Sequence, residues 1–213
     1  MKKIIVPLLF LLAAFNVQSQ TSDEALKLKI SGYVKNDFFY DSRQVTAGRE
    51  GSLLFFPAPP KFDNAMDINA KSSINMLAIQ SRLTFKADGT EAFGAKASAM
   101  LEGDFFGQAN DNINLLRLRY AYVKLKWTNT EFLAGQYDIP MFIAECFPGT
   151  VSFNTGLPFQ PGVRNPQMRL TQTIGSFRVV GIASMQRDYA SRGPAGATGD
   201  YLRNAAMPEL TAH

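Results

Sequence analysis

Residues 116–127 read Leu116-Arg117-Leu118-Arg119-Tyr120-Ala121-Tyr122-Val123-Lys124-Leu125-Lys126-Trp127. Apolar and charged side chains take turns, which is the two-residue period of a β-strand whose faces meet different surroundings. Leu116, Leu118 and Tyr120 share one face, with Arg117 and Arg119 on the other. The phase then reverses: Val123, Leu125 and Trp127 are apolar, whereas Lys124 and Lys126 are charged. A β-bulge near Ala121 or Tyr122 would restore one apolar face. The other account is that the lysines sit in headgroup or water. A strand from about residue 112 to 127 is long for a soluble sheet, where about 5–6 residues is usual. It suits a tilted transmembrane strand, which needs about 9–11.

The same period recurs on both sides of this stretch. Before it, strands are predicted at about 26–40, 73–87 and 91–105; after it, at 131–138, 167–174 and 177–188. In the first, Leu26, Leu28, Ile30, Val34, Phe38 and Tyr40 oppose Lys27, Lys29, Ser31, Lys35 and Asp37. In the second, Leu77, Ile79, Leu83 and Phe85 oppose Gln80, Arg82, Thr84 and Lys86; in the third, Phe93, Ala95, Ala97, Ala99 and Leu101 oppose Lys96, Ser98, Glu102 and Asp104. Tight turns are predicted at Asp88-Gly89-Thr90, Thr128-Asn129-Thr130 and Gly175-Ser176, because Gly89 and Gly175 tolerate positive φ. Long connections fall at about 42–71, which holds Pro57 to Pro60, at about 139–165, and from Tyr189 onward. The link at 107–111 is short. Leu53 to Lys61 could supply an extra strand, but its prolines argue against that. Short turns at one end and long loops at the other are the habit of transmembrane barrels. Tyr40, Phe105, Trp127 and Tyr137 near strand ends fit aromatic girdles. The fold class is therefore all-β, an antiparallel transmembrane β-barrel. A soluble β-sandwich also alternates, but with shorter strands.

The amino terminus sets the compartment. Lys2 and Lys3 precede an apolar run from Ile4 to Phe15, too short for a membrane helix of about 20 residues. Val17 and Ser19 are small, so residues 1–19 are predicted to be a signal peptide cleaved after Ser19, with 20–213 the exported part. A buried N-terminal helix is the alternative. Outer-membrane location in a Gram-negative envelope follows as an expectation. Apolar residues make up 46% of the chain and aromatics 12%, which excludes a disordered protein. A net charge of +4, part of it in the signal, argues for no nucleic-acid partner. Cys146 is the only cysteine and His213 the only histidine, so neither a disulfide nor a metal site is expected, and no cofactor.

Seven predicted strands leave the count odd, whereas single-chain bacterial barrels have an even number of at least eight. Met207 to His213 reads like the opening of another strand. An open edge in lipid leaves unsatisfied backbone groups, so the chain is expected to be part of a longer barrel.

Several short blocks recur in one order in a known family. Leu116 to Val123, Leu133-Ala134-Gly135-Gln136-Tyr137, Thr150-Val151-Ser152-Phe153-Asn154-Thr155-Gly156, Pro158-Phe159-Gln160-Pro161, Arg164-Asn165-Pro166-Gln167 and Arg169-Leu170 resemble the DcaP-like outer-membrane porins. The resemblance covers roughly residues 28–190. It implies one part of a sixteen-stranded barrel, a homotrimer in the full-length protein, and passage of small, often anionic solutes.

Two residue sets are candidates for the functional site. The segment from Ile139 to Asn165 is rich in Phe, Pro and Gly, and its Phe142, Phe147, Phe153, Leu157 and Phe159 would be poorly solvated if left in water. Folding into the barrel mouth would make it a constriction loop, with Asn154 and Arg164 as its polar members; packing on a neighbouring subunit is the alternative. Arg82, Lys96, Glu102, Asp104, Arg117, Arg119, Asp138, Arg169 and Arg178 are expected to line the pore. A basic excess there favours anions, since a narrow low-dielectric opening concentrates the field. Salt bridges from Arg117 or Arg119 to Glu102 or Asp104, bracing the wall, are the competing reading.

Passive diffusion of small hydrophilic solutes is thus the expected function. An enzyme is not expected: no histidine is placed to serve as base, and Glu102 and Asp104 lie among cations. A secreted soluble β-rich binding module is the alternative. Gly193 to Gly199 lacks the Gly-Lys-Ser/Thr ending of a phosphate loop.

Overall fold

The computed structural model describes residues 26–107, 109–147, 162–186 and 191–213. The expected signal peptide lies outside them. One eight-stranded sheet dominates, and we number its strands β1 (Lys27–Tyr33), β2 (Arg82–Ala92), β3 (Ala95–Phe105), β4 (Leu116–Lys126), β5 (Thr130–Asp138), β6 (Arg164–Ile174), β7 (Phe177–Ser184) and β8 (Glu209–Ala212). Each strand pairs antiparallel with its neighbours in sequence. The sheet is the all-β antiparallel meander of a transmembrane barrel. Its eighth strand, Glu209–Ala212, pairs with β7 and falls where Met207 to His213 reads as the opening of a further strand.

The cross-strand register explains why the alternating residues matter. Ile30 faces Phe85, Phe85 faces Leu101, and Leu101 faces Ala121. Val123 faces Ala134, Ala134 faces Met168, and Leu125, Phe132 and Leu170 form a parallel row. Leu28, Ile30, Leu83, Phe85, Leu101, Leu116, Leu118, Val123, Met168, Leu170 and Val179 are all exposed on this face. A contiguous apolar face of this extent is what lipid covers. The opposite, concave face carries the charged residues. Strands of 11 residues at β2, β3, β4 and β6 match the length of a membrane crossing.

Five of the expected features fall elsewhere in the structure. The phase reversal in β4 is a bulge, but it falls at Arg119: Leu118 pairs with Gly103 and Tyr120 with Glu102. Both Arg119 and Tyr120 therefore turn to the concave side, and Tyr120 is not an outward residue. The turn expected at Asp88-Gly89-Thr90 is a second bulge, where Gly89 takes φ 97. β2 continues to Ala92, and the hairpin turns at Phe93 (φ 54) and Gly94 (φ 70), the double positive φ that suits strand twist. Phe93 is thus a turn residue instead of a member of the apolar face. The strands predicted at 26–40 and 73–87 each break in two. Asp37–Asp41 pairs with Ser73–Leu77 in a separate ribbon beyond the sheet, and Gln80 at φ 70 marks the break. The strand predicted to reach residue 188 ends at Ser184.

The Pro-rich connection at 42–71 has structure of its own. Val45–Gly48 pairs with Leu53–Pro57 in a ribbon of its own outside the eight-stranded sheet, so the Leu53 to Lys61 segment adds no barrel strand, and Pro57 sits at the ribbon's end. Phe62–Asp63 pairs with Met66–Asp67. Asp67 ties this region together: its Oδ1 accepts from the backbone N–H of Lys61 (2.9 Å) and of Asn69 (3.1 Å), and its Oδ2 accepts from Arg43 (2.8 Å). Leu53 then packs with Ile79, Phe106 and Ile113 in a small buried cluster. Beyond residue 190, Ser191–Gly193 pairs with Gly196–Thr198, and a short helix spans Asp200–Ala205.

Candidate functional site

The concave face gathers three of the predicted arginines around two carboxylates. Arg82 pairs across to Asp104, and Asp104 to Arg117, which places all three on one face. The β4 bulge adds Arg119 beside them. Asp104 is fully buried and accepts from Arg117 Nε (2.7 Å), Arg119 Nη1 (3.2 Å) and Arg82 Nη2 (3.5 Å). Glu102 accepts from Arg119 Nε (2.7 Å) and from the Thr84 hydroxyl (2.8 Å). Arg82 Nε lies 3.6 Å from Glu102, an ion-pair contact. Three guanidinium groups thus share two carboxylates. Burial is costly for each ion alone, and the forked guanidinium geometry is what offsets it. Arg119 is buried in this cluster, whereas Arg82 and Arg117 keep partial exposure.

Next along the wall stands an aromatic step. Tyr120, Tyr122 and Tyr137 touch one another, with ring centroids 5.3 to 6.4 Å apart. Gly135 makes this possible. It faces Tyr122 at φ 136, and a Cβ there would lie 2.1 Å from the Ala121 carbonyl oxygen. Gln136 donates to the carbonyls of Leu118 (3.0 Å) and Arg119 (3.1 Å), fixing the bulge from β5. The Tyr120 hydroxyl donates to Asp138 Oδ2 (2.6 Å), and Arg164 Nε lies 3.4 Å from Asp138 Oδ1. Arg119 and Arg164 both lie over the Tyr120 ring, and Arg169 over Tyr137 at 4.8 Å. Arg169 donates to Gln167 Oε1 and to the Asp138 carbonyl.

A cavity of about 340 Å³ opens beside this step, lined among others by Lys126, Tyr137, Phe142, Arg169, Arg178 and Val180. Phe142 reaches it because the chain after β5 turns back over the concave face, where Ile139 N–H bonds the Val163 carbonyl (3.1 Å). Phe147 packs on Phe142 with centroids 5.3 Å apart. At the turn end, Lys96 faces both Lys126 and Glu91, around a separate cavity of about 440 Å³.

Of the predicted pore-lining set, Arg82, Glu102, Asp104, Arg117 and Arg119 come together, and Asp138 joins Arg169 in the adjoining group. Lys96 lies at the turn end, and Arg178 lines the cavity beside Arg169 and Tyr137. Arg164 is not in the long loop where it was expected: it opens β6 opposite Asp138. Phe153, Asn154 and Phe159 lie outside the described residues. Sequence reasoning missed Tyr120, Gln167, Phe106 and Arg49. Tyr120 is hidden in the sequence because the phase reversal shows at Ala121 or Tyr122, two or three residues after the bulge itself at Arg119. Phe106 and Arg49 come together only through long-range packing.

The two faces together define the class: a porin-like β-barrel fold with an apolar outer face and a charged inner one. The structure is similar to the crystal structure of the outer membrane channel DcaP of Acinetobacter baumannii, with a TM-score of 0.59 and 20% identity over 88% of this chain and 47% of that chain. The chain thus spans about half the length of that channel. No family model and no curated sequence matches it.

Proposed function

We propose that the protein is an outer-membrane porin of the DcaP-like type, through which small hydrophilic solutes, anionic by preference, diffuse passively. The observation that carries this reading is the charge of the concave wall. Arg82, Arg117, Arg119, Arg164 and Arg169 outnumber Glu102, Asp104 and Asp138 on the described wall, while toward the turn end Arg178, Lys96, Lys124 and Lys126 are interleaved with Glu91 and Glu131, Lys124 lying 3.5 Å from Glu131. Two unit charges 4 Å apart interact by about 4 kcal/mol at an effective dielectric constant of 20, against about 1 kcal/mol in water. A cationic excess on a narrow wall therefore selects solutes where the same excess on an open surface would not.

The bracing and pore-lining readings combine here. Asp104 and Glu102 hold the arginines in place, and the partly exposed Arg82 and Arg117 present N–H donors to a passing carboxylate or phosphate. Phe142, carried back over the wall, supports a role for the 139–165 segment as the constriction. An outer-membrane site, an exported precursor with a cleaved signal and a trimeric assembly belong to the same proposal. No enzymatic role is proposed. The test is a planar-bilayer measurement of reversal potential under a salt gradient with the full-length protein: an anion preference that falls when Arg117 is replaced by Glu supports the reading, and cation preference in the unmodified protein overturns it.

A further inference from the structure

The tip of the 42–71 connection reaches the concave wall from outside the sheet. Arg49 lies with its guanidinium 4.4 Å from the centroid of the Phe106 ring. Phe106 follows the last residue of β3, is wholly buried, and also carries the guanidinium of Arg117 at 5.1 Å. One ring therefore bears a cation from the barrel wall and a cation from the loop, a geometry in which the aromatic face attracts both.

Two further contacts hold the tip there. The Glu50 N–H donates to Asn110 Oδ1 (3.2 Å), across to the link between β3 and β4. Leu53, four residues beyond Arg49, is buried against Ile79, Phe106 and Ile113. Arg49 and Glu50 adopt φ 51 and φ 53, a left-handed conformation that residues with a Cβ avoid. The apolar anchor at Leu53 and the Asn110 bond are what select that conformation over a relaxed turn. The Glu50 side chain is exposed beside Asn110 and Asp111, whereas the Arg49 guanidinium is turned onto the Phe106 ring of the wall.

We propose that Arg49 is a selectivity residue at the channel mouth, supplied by the 42–71 connection and docked on Phe106 beside Arg117. This rests on the porin reading above and adds a residue and a segment to it. The loop is then a fixed part of the entrance, and an anion meets Arg49 before the Asp104-centred cluster.

The experiment is reversal-potential measurement on the full-length protein in planar bilayers under a potassium chloride gradient. Arg49→Glu is expected to lower the anion-to-cation permeability ratio several-fold at low salt. The effect should fade at molar salt, where the Debye length is only about 3 Å. Leu53→Asp, which releases the anchor, should lower the ratio too, and adding Arg49→Glu to it should change nothing more. Should Arg49→Glu fail to assemble, Arg49→Cys in a Cys146→Ser background provides the same test: a cationic thiol reagent should restore the ratio and an anionic one depress it. Ratios indifferent to Arg49 charge while Arg117→Glu shifts them would overturn this inference and leave the porin reading standing. Absence of any conductance in the unmodified protein would remove both.

Discussion

The Tyr120 hydroxyl sits 2.6 Å from Asp138 Oδ2 and links the bulged strand to the end of the next one. Asp138 is itself buried, and it also meets Arg164. The pair joins the Asp104-centred cluster to the Arg169 group, so the basic wall is continuous across five strands, β2 to β6. Tyr120→Phe removes one hydrogen bond and leaves a buried carboxylate oxygen short of a donor, a loss of about 1–3 kcal/mol. The expected outcome is a lower unfolding temperature by heat modifiability on gels, with ion preference retained.

Asp104 is the counter-charge to three arginines. Asp104→Ala leaves those guanidinium groups without their shared acceptor, and breaking a buried pair costs about 3–5 kcal/mol. Channels that still assemble are expected to be more anion-selective than the unmodified protein. Bilayer reversal potentials check this, and a shift toward cations would contradict the placement of Asp104 on the solute path.

Gly135 has no room for a side chain. In Gly135→Ala, the Cβ would stand 2.1 Å from the Ala121 carbonyl oxygen and 2.6 Å from Tyr122 Cα. Backbone atoms cannot yield as a side-chain tip can, so β4 and β5 must separate locally. Reduced yield of folded, detergent-stable protein is expected, measured against Gly94→Ala, where the space is open but φ is also positive.

Asp67 makes the Pro-rich loop pH-sensitive. The Lys61 backbone N–H, then the Arg43 guanidinium, hold its carboxyl below the ordinary value of 3.8. A depressed folded value means the contribution to loop order is fully present above 3.8 and disappears as pH falls through the lower folded value. Protection of the Lys61 and Asn69 amides from hydrogen exchange is therefore expected at neutral pH and lost in strong acid. Asp67→Asn should remove the pH dependence.

Phe142 lies where the backward-turning segment meets the 340 Å³ cavity. Phe142→Ala is expected to raise single-channel conductance, because an aromatic ring leaves the path. Unchanged conductance would place the 139–165 segment outside the constriction.

Much of this was legible in the linear order of residues. The alternation of Leu116 to Lys126, and of the strands around it, needs no partner to be read, because side chains of a strand point to opposite faces by covalent geometry alone. An apolar face and a basic face, and hence a barrel in lipid, follow from that period. The arginines at 82, 117 and 119 could be assigned to one face in the same way. The need for a bulge in β4 was also visible, because the phase reverses.

Where the bulge falls was decided by tertiary structure. Arg119 and Tyr120 both turn inward because Glu102, Asp104 and Asp138 offer buried acceptors there, and a carboxylate on a neighbouring strand leaves no mark on local periodicity. The same holds for Gly89, which could have turned the chain but widens a ladder instead, and for Arg49, whose place on Phe106 depends on Leu53 burying itself against Ile79 and Ile113. Alternation is a property of neighbours along the chain. Charge pairing, ring contacts and loop docking are properties of residues far apart in it, and only folding brings them within reach.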